Sequence, residues 1–343
     1  MFILLIAATT ALLILPFAPT AGLFLRNREA LGPSPLSEGA YAPNHFARAL
    51  ITKLRARADS VVQPVTVMLE CRLDGEPLLV LPPSMRRAPS DCTAKMSYAL
   101  ADLVLPPAMA CGKEIATEGS LETGEGAQCR ALYAADSLHI NRNSRIVRWC
   151  HADSDLKVDA GCWILGRASA NKMIKIDAPC TFVSMTAPVI LLGYAKPPTG
   201  HPATEGGGAA EGADRVVRGP VSLAAGTVLR GSVKAYGRLC VGAHSVIEGA
   251  LVCDGDILIG PGCRIGGPIV AEGDVYIAGG CEVGWPGHPA SVVGEEVEIS
   301  VPAAVCGAIH ARRRGVIAET QNNIIECSDS GNDRPLPTPS TRH

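Results

Sequence analysis

Aromatic residues make up only 4% of this 343-residue chain, and its formal net charge is −2. The first leaves no row of stacking platforms and the second no basic footprint, so nucleic acid is not an expected partner. Common active-site motifs are missing as well. There is no GxSxG, HExxH or P-loop, and no Rossmann fingerprint in a strand–helix context. No CxxC occurs, which weakens a zinc-ribbon reading. No window between residues 102 and 312 sustains a 3.6-residue period, which argues against a helical domain there. The residues name no catalytic group, no cofactor and no metal-ligand set.

What is present is an 18-residue beat. Pro220–Gly237, Arg238–Gly255, Asp256–Gly273 and the start of Asp274–Ser291 align without gaps. Gly231, Gly249 and Gly267 share the twelfth place, and Gly237, Gly255 and Gly273 the eighteenth. Val221, Leu239, Ile257 and Val275 occupy the second place, and Leu223, Val241, Ile259 and Ile277 the fourth. Leu229, Ile247, Ile265 and Val283 occupy the tenth. Backwards, Leu138, Leu156 and Ile174 continue the second place, followed by Leu121 and Leu103 after a 17- and an 18-residue step. Forwards, after a four-residue slip around Trp285–Pro289, Val297, Ile299, Val305, Gly307 and Ile309 restore the pattern.

A fixed period of this size is the signature of a solenoid. Within each turn the apolar places alternate at a spacing of two, as in short strands, and small residues separate them. The expected fold is all-β: one three-sided β-helix over 101–318, with about ten turns and a length of ~48 Å at the usual strand spacing. Strict registration over four consecutive turns argues against a β-sandwich. Leu223, Leu229, Val241, Ile247, Ile259, Ile265, Ile277 and Val283 are the expected interior columns, with the six glycines above at corners. Alanine at most of the sixteenth places (Ala135, Ala152, Ala170, Ala235, Ala271, Ala311) suggests one tight column.

The 13 cysteines follow the same beat. Cys162 and Cys180 lie 18 apart, as do Cys263 and Cys281, and Cys111 and Cys129. Such pairs are expected on adjacent turns, facing inward as small hydrophobes in a reducing compartment. An exported, disulfide-bonded protein is the alternative. His139, His151 and His310 fall at outward places and His244 at a corner, and read as surface residues.

Met1–Leu25 carries no charged side chain and is long enough to span a bilayer. A cleaved signal peptide is the rival, but no basic n-region precedes the apolar run, and cleavage after Ala21 places Pro19 at −3. Arg26 and Arg28 put the C-terminal body on the cytoplasmic side. Residues 26–60 read as a linker and a short helix, His45–Ala58, with Phe46, Leu50, Ile51 and Leu54 on one face. That helix suits either an anionic membrane surface or the end of the solenoid. Residues 61–100 hold strand-like segments about a Leu73-Asp74-Gly75 turn and read as an N-terminal cap. Residues 194–214 read as a loop thrown out from one corner, and 319–343 as a disordered tail.

The stretch VLRGSVKAYGRLCVGAHSVIEGALVCDGDILIGPGCRIGGPIVAEGDVYIAG, Val228–Gly279, resembles the core of the bactofilins, polymer-forming bacterial cytoskeletal proteins. The likeness extends over Ala101–Ile317. It implies a right-handed β-helix that stacks end to end without nucleotide, associates with the membrane through its N-terminus and scaffolds cell-shape or envelope enzymes; with Met1–Leu25 and Arg26 and Arg28 the expected location is the bacterial inner membrane, single-pass, with a cytoplasmic body. It implies no active-site residue. The long insertion and the hydrophobic N-terminus depart from the short family members. A solenoid end presents unpaired backbone groups. The C-terminal turn, with Val297, Ile299, Val305, Ile309 and Val316, is the expected assembly edge. Ile259–Gly266 also resembles the hexapeptide repeat of left-handed β-helix acyltransferases, for which His201 is the candidate base and a small molecule or sugar the acceptor.

Overall fold

The computed structural model describes residues 44–60, 65–198 and 214–319. The chain divides into two compact units, Met1–Phe46 and Ala47–His343, and the second is a β-solenoid of about 13 turns. The count exceeds the expected ten because stacking begins at Glu76–Leu81, ahead of the regular beat. From Arg215 to Val283 each turn carries three short strands, whereas in the turns before Leu192 the second and third run together, as in Arg145–Ala152 and Trp163–Ala170. Leu239–Val241, Val246–Ile247 and Leu251–Cys253 form one turn, and Ile257–Ile259, Arg264–Ile265 and Ile269–Ala271 lie on it in parallel register. Ile257 stacks on Leu239, Ile259 on Val241 and Ile265 on Ile247, and each is at most 1% exposed. Each such side chain removed from water contributes roughly 1.5–3 kcal/mol. The twelfth-place glycines allow backbone to lie on backbone. A Cβ on Gly249 would come within 2.5 Å of the Gly231 carbonyl carbon, and one on Gly267 within 2.6 Å of that of Gly249.

The turns do not form one continuous stack. The proximal half runs forward from Glu76–Leu81 to the long strand Cys180–Leu192. The distal half begins at Arg215–Val217 and runs to Ala303–Ala318. These two last strands pair antiparallel with each other, Cys180 opposite Ile317, Met185 opposite Ile309 and Leu192 opposite Ala303. The halves therefore meet at their C-terminal turns. The interior column continues across this seam as Ile164, Phe182, Gly315, Val297 and Val275.

This arrangement corrects two expectations. The described residues that flank 199–213 do not lie at one corner of one turn, where a loop over 194–214 would hold them. Leu192 lies at the seam, whereas Arg215 opens the turn at the far end of the distal half, roughly 25–30 Å away at one strand spacing per turn. The intervening residues 199–213 lie outside the described residues. The C-terminal turn is not an open edge either, because Cys180–Leu192 already occupies it.

The proximal end is covered. Leu69–Leu73 and Glu76–Leu81 form an antiparallel hairpin. Asp74 and Gly75 both hold positive φ, at 51° and 87°, as a tight two-residue turn requires. The Ala88 amide donates to the Val104 carbonyl, and the Arg86 carbonyl accepts from the Val104 amide. The short 3-10 turn Ser90–Thr93 packs against Ala110–Thr117. The helix His45–Asp59 lies, from Ala47 onward, on a side face of the proximal half rather than on its end. Ala47, Ile51, Leu54 and Ala58 pack there against Leu78, Val80, Tyr98, Ala116 and Tyr133. Met1–Leu25 and residues 320–343 lie outside the described residues, among which no helix is long and apolar enough to cross a membrane.

Candidate functional site

The eight expected interior residues lie in the distal half. Leu223, the most exposed of them at 6%, belongs to its outermost turn. Of the expected assembly edge, Val305 faces Ile190, Ile309 faces Met185 and Val316 faces Thr181 across the seam. Val297 and Ile299 lie one strand deeper, against Gly315 and Ile317. His201 lies outside the described residues.

The side face beneath the helix carries most of the concentrated polar chemistry. Residues stacked at one outward place there include Tyr98, Ala116, Tyr133, His151, Ser169 and Thr186. The Tyr133 hydroxyl donates to Asp153 Oδ2 at 2.5 Å, and Asn171 Nδ2 donates to Asp153 Oδ1 at 3.2 Å. Asp153 Oδ1 lies 3.0 Å from His151 Nε2, and His151 Nδ1 lies 2.8 Å from Ser169 Oγ. An ionised carboxylate can only accept, so the neutral ring carries its proton on Nε2 and accepts the Ser169 hydroxyl at Nδ1. Burial holds the imidazole below its ordinary range against the opposing pull of Asp153, and the charge of Arg48 on the helix acts in the same direction as burial. The Tyr133 hydroxyl is pushed up, first by burial and then by its bond to Asp153.

A second set anchors the helix. Arg55 Nε and Nη2 grip Glu118 at 2.7 and 2.8 Å, and the Tyr98 hydroxyl donates to the same carboxylate. The Arg55 hydrogen bonds hold Glu118 below the usual carboxylate range despite partial burial. His139 stands apart with Asp159 at 3.0 Å and with Lys157, which is 2.9 Å from the same carboxylate. Ser184 Oγ and His310 Nδ1 meet at 2.8 Å across the seam.

The Ser169–His151–Asp153 series has the order of a nucleophile, a base and an orienting acid. His151 is 1% and Ser169 5% exposed, so no substrate reaches them in this conformation. His151 was expected at the surface. It does face outward from its turn, but it is buried. The interior holds stacked thiols, Cys111 on Cys129 among them, and the described cysteines form no disulfide. Burial pushes the Cys150 thiol up to about 12, as expected for an inert packing group. Among the described residues no group of three or more His, Cys, Asp or Glu could hold a metal ion. Comparison of the chain with family models, with curated proteins and with solved structures finds no match.

Proposed function

We propose that this chain is a non-enzymatic scaffold of the bactofilin type, tethered to the inner membrane by Met1–Leu25, that associates with its own copies and organises cell-shape or envelope enzymes. The observation that carries the reading is the regularity of Val228–Gly279. These residues form in-register parallel turns with an apolar interior and short strand edges, a repeating surface that can carry bound partners. The test is a fluorescent fusion after His343 in bacterial cells. Membrane-bound clusters that disperse when Met1–Leu25 is removed support the scaffold. A diffuse signal unaffected by that deletion overturns it.

The Ser169–His151–Asp153 geometry favours a second reading, an acyl-transfer enzyme acting on a small molecule or sugar. It needs Ser169 to become accessible. Acyl labelling of the full chain from an activated ester, lost in Ser169→Ala, would support it, and the absence of labelling would leave the scaffold.

A further inference from the structure

The distal half ends in an outer turn made of Arg215–Val217, Val221–Leu223 and Val228–Leu229. Among the described residues each of these strands is paired on one side only. The bonds already made fix the direction of the remaining groups. The Arg215 amide donates to the Ser232 carbonyl, and the Val217 carbonyl accepts from Tyr236. Val221 donates to the Arg238 carbonyl and Leu223 accepts from Gly242, while Thr227 and Leu229 accept from Val246 and Glu248. Successive residues of a parallel strand aim their backbone groups to opposite sides. Val216, Ser222 and Val228, one on each face of the turn, therefore aim N–H and C=O away from the body. Val216 is 67% and Val228 37% exposed. The edge sets these valines among Arg215 and Arg218, with Pro220 ahead of the second strand.

We propose that this outer turn docks on the outer turn of a second copy, forming a closed two-fold dimer. The seam inside the chain already displays the required geometry. There the middle strands Ser184–Ala187 and Gly307–His310 lie antiparallel, while Cys180–Phe182 meets Gly315–Ile317 and Ile190–Leu192 meets Ala303–Val305. Middle face pairs with middle face, and the flanking faces exchange. Arg215–Val217 belongs to the same middle face as Gly307–His310, through the stacked strands Val233–Ala235, Leu251–Cys253, Ile269–Ala271 and Ala290–Ser300. At the outer end the same rule sets Val216 opposite Val216 of the second copy, and Val221–Leu223 opposite Val228–Leu229. At the proximal end the outer hairpin strand Leu69–Leu73 is likewise paired on one side among the described residues, but it exposes Glu70 and Arg72, charges of the kind that discourage strand pairing, and the C-terminal turns are consumed by the seam. One self-complementary interface then closes the assembly at two chains instead of propagating a filament.

The proposal names the contact of the scaffold reading and rests on that reading for self-association alone. The test is sedimentation of the purified full chain in mild non-ionic detergent. The wild type is expected at twice its 35.7 kDa, and Val216→Pro and Val228→Pro at the monomer mass. Proline removes an outward N–H at these positions and no intrachain bond. Val216→Lys, which keeps the backbone intact, is expected to dissociate the dimer too and covers the case in which a proline variant misfolds. A monomeric wild type, a Val216→Lys dimer as stable as wild type, or filaments of the wild type would each overturn the proposal. A dimer of this kind that never clusters at membranes would sink the scaffold reading and leave the contact standing.

Discussion

Phe182 and Gly315 face each other across the seam, and a Cβ on Gly315 would lie 2.3 Å from Cζ of the Phe182 ring. The ring fills the interior at the level where the two halves meet, and only a residue without a side chain fits beneath it. Gly315→Val is expected to destabilise by about 1–3 kcal/mol through overpacking. Phe182→Ala should cost about 3–5 kcal/mol on its own. The double variant should lose clearly less than the total of the two, because they share one space. Urea midpoints measure this, and additive losses would mean that the two residues do not touch.

The separation of Leu192 from Arg215 bears on the connector. Deleting 195–213 leaves three residues to cover roughly 25–30 Å, beyond their extended reach of ~3.5 Å each. The seam can then form only between chains. The expected result is a swapped assembly of at least twice the mass of the parent. An unchanged mass with an unchanged melting temperature would show that the two halves do not meet as described.

Ile265 lies between Ile247 and Val283 in the interior and is 1% exposed. Ile265→Asp places an unpaired carboxylate there and is expected to cost about 4 kcal/mol or more. A variant that melts within a few degrees of the parent contradicts the assigned inward face.

Acid should loosen the molecule through its histidines. Burial lowers the affinity of both His151 and His310 for a proton, while the unfolded chain protonates near about pH 6.5. Below that value the unfolded state binds more protons, so stability falls as pH drops toward the folded values. Glu118 and Asp159, both held low, add their loss only below about pH 4.5. Glu298, raised by burial, works in the opposite direction. Melting temperatures from pH 7.5 to 5.5 should decline in the wild type and flatten in a His151→Gln, His310→Gln double variant. Parallel curves for the two proteins would exclude this origin.

The interior columns were readable because one residue type recurs at one place per turn and stacking buries that place. The reversal at the seam was not, for a physical reason. An inward place remains inward whether the next turn is added above or below, so periodicity is blind to the direction of growth. The interruption at Tyr194–Asp214 marked the reversal, but length alone does not separate a loop from a return connection. The His151–Ser169 pair was more accessible. An 18-residue offset stacks two outward residues directly, and Asp153 follows two places on. What hid the site was the assumption that outward means exposed. Packing of the helix against Tyr133 and Ala116 depends on contacts that no repeat encodes.

The tail-to-tail seam also sets an order on synthesis. Turns of the proximal half can be added as they emerge from the ribosome, each on the one before. The distal half emerges outermost turn first, and the strand that pairs it with the finished half, Ala303–Ala318, is translated last. Six strand levels must wait, or fold apart, before the two pieces are joined. A message truncated between codons 193 and 303 yields a complete proximal half whose final strand, Cys180–Leu192, has a bare edge. That edge is a ready point of capture for chaperones or for aggregation, so the joined solenoid reports that translation reached its last strand.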